Sequence, residues 1–388
     1  MNKIDLMNYV DDNWRVVLDN NFRQKLKRKV KERKLKIKTI SHLTGKSIDS
    51  IWKLQEGRFN PTFGYLKILC KKLNVGEKEL YQNIDTIYAG VKKASFTVRS
   101  ITVDEEFAAW WGAWIGEGNH TATHESISMT NYEVNLLELH INMLRKFKFP
   151  INKSLVEVIT NQRGDKDIIR QRWSRILNLP KSQITSITYM ERATQEGARV
   201  QVWSAGLFRI LHTIDDEVKG IISKSSLEVK IAYLRGIYAA EGSVRRMEVR
   251  INMNDHKEIK FVKETLFAIG IQTSSIRLNN CNDCYELSVL GYDNIRKFKE
   301  IDGFQLHVKR KRKLHEIFSH YENKLPDHIR FERLKNLLAE RNEITKRELA
   351  SIFDITYANA HRITSKFSRE GKLTVDRSEK ELKYSLPT

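Results

Sequence analysis

Cysteine is scarce: Cys70, Cys281 and Cys284 are the three in 388 residues, too few and too unevenly placed for a disulfide framework. Cys281 and Cys284 form one Cys-x-x-Cys between two strand-like runs. A structural zinc site needs two further ligands at suitable spacing, so two thiols at a hairpin tip is the favoured reading, with a local disulfide left open. Proline is scarce too, at five, and with 40% hydrophobic residues the composition is that of an ordinary globular protein, which disfavours disorder. Long apolar runs are missing. FAAWWGAWIG is ten residues against the roughly 20 that cross a bilayer, and the N-terminus has no signal-peptide apolar region. A soluble, cytoplasmic protein without a membrane partner is expected. Acidic residues are the last shortage: 48 Asp and Glu face 68 Lys and Arg, for a formal charge of +20 and a pI near 9.7. The expected partner is a polyanion, although a basic total does not separate DNA from RNA or an acidic membrane.

The charge is unevenly spread. Residues 21–60 hold 13 Lys and Arg against Glu32, Asp49 and Glu56, a net of +10, which suits a phosphate-facing surface. From about Phe22 to Tyr81 apolar residues recur at three- and four-residue intervals with breaks at Gly45, Gly57 and Pro61, predicting a compact helical domain. From about 101 to 320 helical runs such as EVNLLELHINMLRKFKF alternate with strand-like runs such as GARVQVWS, RMEVRINM and CYELSVL, predicting an α+β domain. Beyond about 330 three helical runs precede two short strand-like ones.

The central region repeats itself. An apolar helix ending in Gly116-Glu117-Gly118 recurs as one ending in Ala240-Glu241-Gly242, an offset of 241 minus 117, or 124 residues. Trp110, Trp111 and Trp114 in the first copy, and Leu234 and Tyr238 in the second, lie on helical spacing for burial. Gly112 and Gly116, and again Gly236 and Ala240, place small residues four apart. Small residues at that interval let two helix backbones approach closely. If the two helices pair, both glutamates arrive at one place. Two close carboxylates repel unless one takes up a proton or a cation sits between them. A hard divalent ion such as Mg²⁺, with Mn²⁺ as a possible substitute, resolves the conflict and supplies what phosphodiester hydrolysis requires. One copy alone would read as an exposed charge after a buried helix; two equivalent copies weigh against that.

WGAWIGEG and RGIYAAEG resemble the two motifs of double-motif LAGLIDADG homing endonucleases, over about residues 101–320. The resemblance implies two pseudo-symmetric αββαββα halves meeting at the motif helices, with curved sheets in the DNA major groove. It makes Glu117 and Glu241 the metal ligands, and implies a staggered double-strand break. It also carries over, less specifically, Ser128 and Asn252 as polar residues beneath the site, and Lys219 and Lys309 as basic residues that organise water and stabilise the transition state. Lys309 begins an unbroken basic run to Lys313, so the register there is open, and Arg310 and Lys311 are candidate DNA contacts. The three tryptophans and Arg235 depart from the family pattern at packing positions.

The stretch from Thr39 to about Val75 resembles a phage-repressor helix-turn-helix, which implies DNA contacts by Lys46, Ser47, Asp49, Ser50, Lys53 and Arg58, with Ile48, Ile51 and Leu54 as core. The run from Ile344 to Val375 resembles a winged helix-turn-helix whose recognition helix begins near Thr356 or Tyr357 and offers Asn359, His361, Arg362 and Lys366 to DNA. The expected organisation is thus an all-α helix-turn-helix domain at 1–95, a LAGLIDADG domain at 96–322 with halves at about 101–222 and 223–322, and a winged helix at 323–388. A monomer acting on double-stranded DNA is expected, since both motif copies lie in one chain. The rival function is a transcription regulator that keeps a catalytically silent LAGLIDADG platform. RNA maturation is a third.

Overall fold

A computed structural model describes residues 2–89, 95–118, 125–149, 154–245, 247–279, 283–322, 325, 327–353, 355–378 and 382–387. The chain forms two compact units, Met1–Glu241 and Gly242–Thr388.

After two short strands, Lys3–Asp5 and Arg15–Leu18, the first unit runs through five helices, Asn20–Glu32, Ile37–Thr44, Ile48–Gln55, Phe63–Lys72 and Glu77–Gln82. Gly45, in the left-handed region at φ +64°, ends the second, a conformation that costs glycine nothing. The third starts where Ser47 Oγ accepts the Ser50 N–H at 3.2 Å. The all-α expectation is corrected: strands Arg15–Leu18, Ile84–Tyr88 and Ser95–Phe96 form an antiparallel sheet beside the helices. Their β-branched residues favour strands, and they lie outside the window in which the helical period is read.

This N-terminal region shares a core with the neighbouring α+β region. Lys3–Asp5 pairs with Ser100–Thr102, and Trp14 meets Phe96 edge-on at 6.5 Å. A methyl group at Gly206, on helix Ala205–Thr213, would lie 2.9 Å from the Phe96 ring and 3.3 Å from Trp14. A cut at residue 95 therefore divides packed apolar surface rather than a linker.

The first motif helix, Glu105–Glu117, is capped by Asp104 Oδ1, which accepts the Phe107 N–H at 2.8 Å. Strands come next in the sheet order Ser126–Asn131, Gly197–Trp203, Leu155–Thr160, Ile184–Tyr189. The last pair is parallel, which requires a long crossover, and helix Lys166–Ile176 makes it. The described first half thus has four strands, as αββαββα does, but with a helix between the first and second as well as between the second and third. Burial alternates along Leu155–Thr160 and most of Gly197–Trp203. Ile127, Met129, Val156, Val158, Val200 and Val202 face the core with helix Val134–Lys146, leaving a polar outer face. Helices Asp215–Lys224 and Leu227–Glu241, the second motif helix, complete the unit.

His140 sits in this core, fully buried, its Nδ1 accepting the Trp110 Nε1–H at 3.0 Å. Burial pushes its pKa down to about 3 from an ordinary 6.5. The unfolded chain therefore takes up a proton near pH 6.5 that the folded one refuses. The stability contributed by the neutral ring is full above pH 6.5 and falls as pH drops toward 3, with about 1 kcal/mol lost by pH 5.5. We expect His140→Gln, which retains an acceptor for Trp110, to flatten urea-measured stability between pH 7 and 5.5; an unchanged slope would exclude His140 as the cause.

In the second unit the sheet order is Gly242–Arg245, Glu248–Met253, Cys284–Leu290, Arg277–Asn279. Helix His256–Ala268 comes between the second and third strands in sequence, and helices Tyr292–Glu300 and Val308–Glu322 come after them. Cys284 is buried; Cys281 lies outside the described residues. Residues 327–387 build a separate core around Leu334, Leu338, Leu349, Ile363, Phe367 and Tyr384. Their order is helix Asp327–Arg341, strand Ile344–Thr345, helices Lys346–Ile352 and Tyr357–Arg369, then strands Thr374–Asp376 and Lys383–Ser385, with Lys383–Ser385 central in the sheet. A reciprocal Thr345–Glu348 capping box starts the second of these helices.

Candidate active site

The two motif helices touch backbone to backbone. A methyl group at Gly236 would lie 1.9 Å from the Ala109 carbonyl oxygen, and one at Gly112 would lie 2.5 Å from that of Tyr233. At Gly116 it would meet Ala240 Cβ at 2.6 Å, Glu241 Cγ at 2.9 Å and Glu241 Oε1 at 3.4 Å. The Glu241 side chain therefore lies across Gly116, the residue before Glu117. Both glutamates are half-buried. The tryptophans fill the first helix's remaining surroundings: Trp110, Trp111 and Trp114 are all fully buried, with Trp110 stacked on Trp114 at 5.5 Å and edge-on to Phe147 at 5.3 Å. Arg235 is half-buried on the second helix.

Past Glu117 the chain bridges to the sheet, Gly118 pairing with Met129. Glu117, Gly118, Ser128, Thr130, Arg199 and Gln201 line one cleft, with Ser126 and Trp203 at its far end. Ser128 thus shares a cleft with Glu117. Lys219 does not line the cleft. It lies on helix Asp215–Lys224 with its side chain 11% exposed, and its Nζ is 2.6 Å from Asp215 Oδ2. The cation that does line the cleft is Arg199, which sequence reasoning passed over. Its Nε donates to Thr130 Oγ1 at 3.1 Å and its Nη1 pairs with Glu157 Oε2 at 3.1 Å. Glu157 Oε1 in turn accepts from Thr188 Oγ1 at 2.5 Å. The alternation in GARVQVWS could have found it, since Arg199, Gln201 and Trp203 share the face opposite Val200 and Val202.

In the second unit Asn252 stands opposite Glu286 on the sheet, its Oδ1 buried without a hydrogen-bond partner among the described residues. Next to it Arg250 is held by Glu286, at 2.6 Å, and by Glu248. Lys309 is exposed on helix Val308–Glu322. The Arg310 N–H donates to His307 Nδ1 at 3.3 Å, and Lys311 pairs with Asp302 at 2.6 Å.

Among the described residues no group of three or more His, Cys, Asp and Glu side chains could hold a metal. Mg²⁺ commonly uses one or two carboxylates and completes its shell with water and phosphate oxygens, so a pair of glutamates fits as the protein's share.

In the N-terminal region four of the six expected DNA contacts are charged, and three of these four are in ion pairs. Asp49 pairs with Lys53 at 2.7 Å and Arg58 with Glu56 at 3.2 Å. Ser47 caps the helix, its Oγ accepting the Ser50 N–H, and the carbonyl of half-buried Lys46 accepts from Ser41 Oγ at 2.6 Å. Ile51 and Leu54 are buried, but Ile48 is 41% exposed, against the core expectation, and Trp52 is 50% exposed. Ile48 opens the helix, where the apolar period no longer has a neighbour to pack on. Near the C-terminus, His361 and Arg362 are exposed and Asn359 half-buried, while Lys366 is engaged by Asp327 and, at 3.8 Å, by Glu370.

Residues 228–303 match a family described as LAGLIDADG-like domain. No curated protein matches the sequence. Among solved structures, the homing endonuclease I-DmoI in complex with DNA and Mn aligns at 16% identity over 52% of this chain and 97% of that one, with a TM-score of 0.34. The N-terminal LAGLIDADG domain of DUF199/WhiA aligns at 12% identity over 53% and 84%, with a TM-score of 0.30. Full-length DUF199/WhiA from Thermatoga maritima aligns at 14% identity over 69% and 93%, with a TM-score of 0.32. Likenesses this distant assign no residue a role. No helix among the described residues is long and apolar enough to cross a membrane.

Proposed function

We propose that this chain is a sequence-specific, divalent-metal-dependent endonuclease of double-stranded DNA. The observation that carries the reading is the Glu241 side chain lying across Gly116, which brings the acids of two equivalent motifs to the end of one helix pair. Glu117 and Glu241 would hold Mg²⁺ or Mn²⁺, and such an ion polarises a phosphate oxygen and acidifies bound water. The rest falls to the chain's own groups. Ser128 and Gln201 offer hydrogen bonds from the floor of the cleft. Arg199, fixed in orientation by Thr130 and Glu157, presents a guanidinium to a phosphate entering it. On this reading Arg199 supplies the positive charge on the cleft wall, beside the part expected of Lys219.

On this reading 327–387 is a winged helix with Tyr357–Arg369 as its recognition helix, 37–55 is a helix-turn-helix, and the protein works as a soluble monomer. The second reading, a regulator with a silent platform, is favoured by one observation: the basic residue expected at the site is sequestered in a salt bridge. Incubating the protein and Mg²⁺ with a randomised duplex library and sequencing the ends separates the two. The nuclease reading expects recurrent ends around one motif; a library left uncut with both Mg²⁺ and Mn²⁺, yet enriched for bound sequences, gives the regulator.

A further inference from the structure

The N-terminal region's positive charge is not on the helix that a helix-turn-helix would insert into DNA. The exposed face of Ile48–Gln55 carries Ile48, Asp49, Trp52 and Lys53, and its one cation is paired with its one anion. The charge lies where helices Asn20–Glu32 and Phe63–Lys72 end side by side, tied by Arg33 Nη1 donating to the Lys72 carbonyl at 2.8 Å. Arg28, Lys31, Lys34, Lys36, Lys38 and Lys72 are all exposed on these helices, the turn after the first and the start of Ile37–Thr44, with Glu32 the acid among them, and none of the six cations makes an ion pair with a described residue.

Helix stability explains only part of this cluster. Cations favour helix C-termini, which accounts for Lys31 and Lys72 in the last turns of their helices. It does not account for Lys36 and Lys38, at the N-cap and first turn of Ile37–Thr44, where no acid is present and the cap makes no side-chain hydrogen bond. Positive charge at a helix N-terminus is unfavourable. Lys34 adds to this. It holds φ +52° just past a helix end, with Leu35 N–H donating to the Val30 carbonyl at 3.1 Å, a position that favours glycine. Three lysines thus stand where local structure disfavours them, amid mutual repulsion that a polyanion would relieve.

We propose that this surface is a phosphate-backbone clamp for duplex DNA, separate from the second helix of the helix-turn-helix. The clamp rests on the reading of the chain as a DNA-binding protein and adds to it where the backbone is gripped. Its composition, five lysines to one arginine, suits point contacts with phosphates better than bidentate reading of base edges. The exposed Trp52 and Ile48 are left to read apolar base features such as thymine methyls.

The test uses the full chain and random-sequence duplex DNA without divalent metal, with affinity measured across a salt series. Lys31→Gln, Lys34→Gln, Lys36→Gln and Lys72→Gln combined should flatten the slope of log affinity against log salt by roughly three to four units, since each phosphate contact contributes about 0.9. Trp52→Ala should leave that slope within about half a unit while altering which sequences a library enriches. A quadruple-variant slope equal to wild type, or a loss seen only with RNA or with anionic-lipid vesicles, overturns the clamp. A wild-type protein that never cleaves removes the nuclease reading while the flattened slope still stands; an unchanged slope in a protein that cleaves removes the clamp alone.

Discussion

Glu117→Gln and Glu241→Gln should each abolish DNA cleavage while leaving DNA binding as tight as wild type or slightly tighter. Each replacement keeps the size and hydrogen-bonding reach of the side chain but removes one anionic oxygen of the pair. A metal's charge stabilisation is worth several kcal/mol, and every 1.36 kcal/mol is a factor of ten in rate, so a loss of about a thousandfold or more is expected. Binding moves the other way because a negative charge near phosphate is gone. Single-turnover cleavage of a site recovered from the library, with affinity measured in parallel, reads both. Arg199→Ala should be milder, slowing cleavage by about a hundredfold, the scale of losing one charge-stabilising donor, and Lys219→Gln should cost stability more than rate because its partner Asp215 is left unpaired. Near-wild-type cleavage by either glutamine variant would refute the assignment of the acids.

Spacing within one helix or strand is the part of this fold that is legible in the sequence. Gly112, Gly116, Gly236 and Ala240 announce the close helix pair because steric room is a local property, and the approach at the three glycines is as tight as that spacing implies. The repeat at 117 and 241 points to the acids for the same reason. Features that depend on partners remote in sequence, or on competition between neighbours, are not legible in this way. Whether Lys219 reaches a site turns on Asp215, one helical turn before it, competing for its ammonium. The fitness of Arg199 turns on Thr130 and Glu157, which strand pairing brings beside it from 69 and 42 residues away. The parallel pairing of Ile184–Tyr189 is invisible to a repeat count, since the four strands of the second half pair antiparallel throughout. Ile48 and Trp52 show the same limit: helical period assigns a face, but whether that face is covered depends on its packing neighbours. Net charge is legible as a total and misleading as a location, since most of the cations of 21–60 lie away from helix Ile48–Gln55.

Gly236→Ala should be the most destabilising single-methyl change in the first unit. The added carbon would fall 1.9 Å from the Ala109 carbonyl oxygen and 2.8 Å from its carbon, both backbone atoms of the partner helix, so no side-chain rotation relieves the clash and the helices must part. Overpacking usually costs about 1–3 kcal/mol when side chains can yield; here about 3 kcal/mol or more is expected, a fall in melting temperature of roughly 6–12 °C for a unit of this size. Gly220→Ala provides the contrast. Gly220 lies within helix Asp215–Lys224 with nothing within 4 Å of the new methyl, so the variant should gain up to about 1 kcal/mol from helix propensity alone. Thermal unfolding of the three proteins in one buffer decides the matter. Because parting the helices also moves Glu241 off Gly116, any Gly236→Ala protein that remains folded should cleave poorly at temperatures well below its melting point. A Gly236→Ala melting temperature within a degree or two of wild type would mean that the helices are not in backbone contact, and the convergence of Glu117 and Glu241 would lose its structural basis.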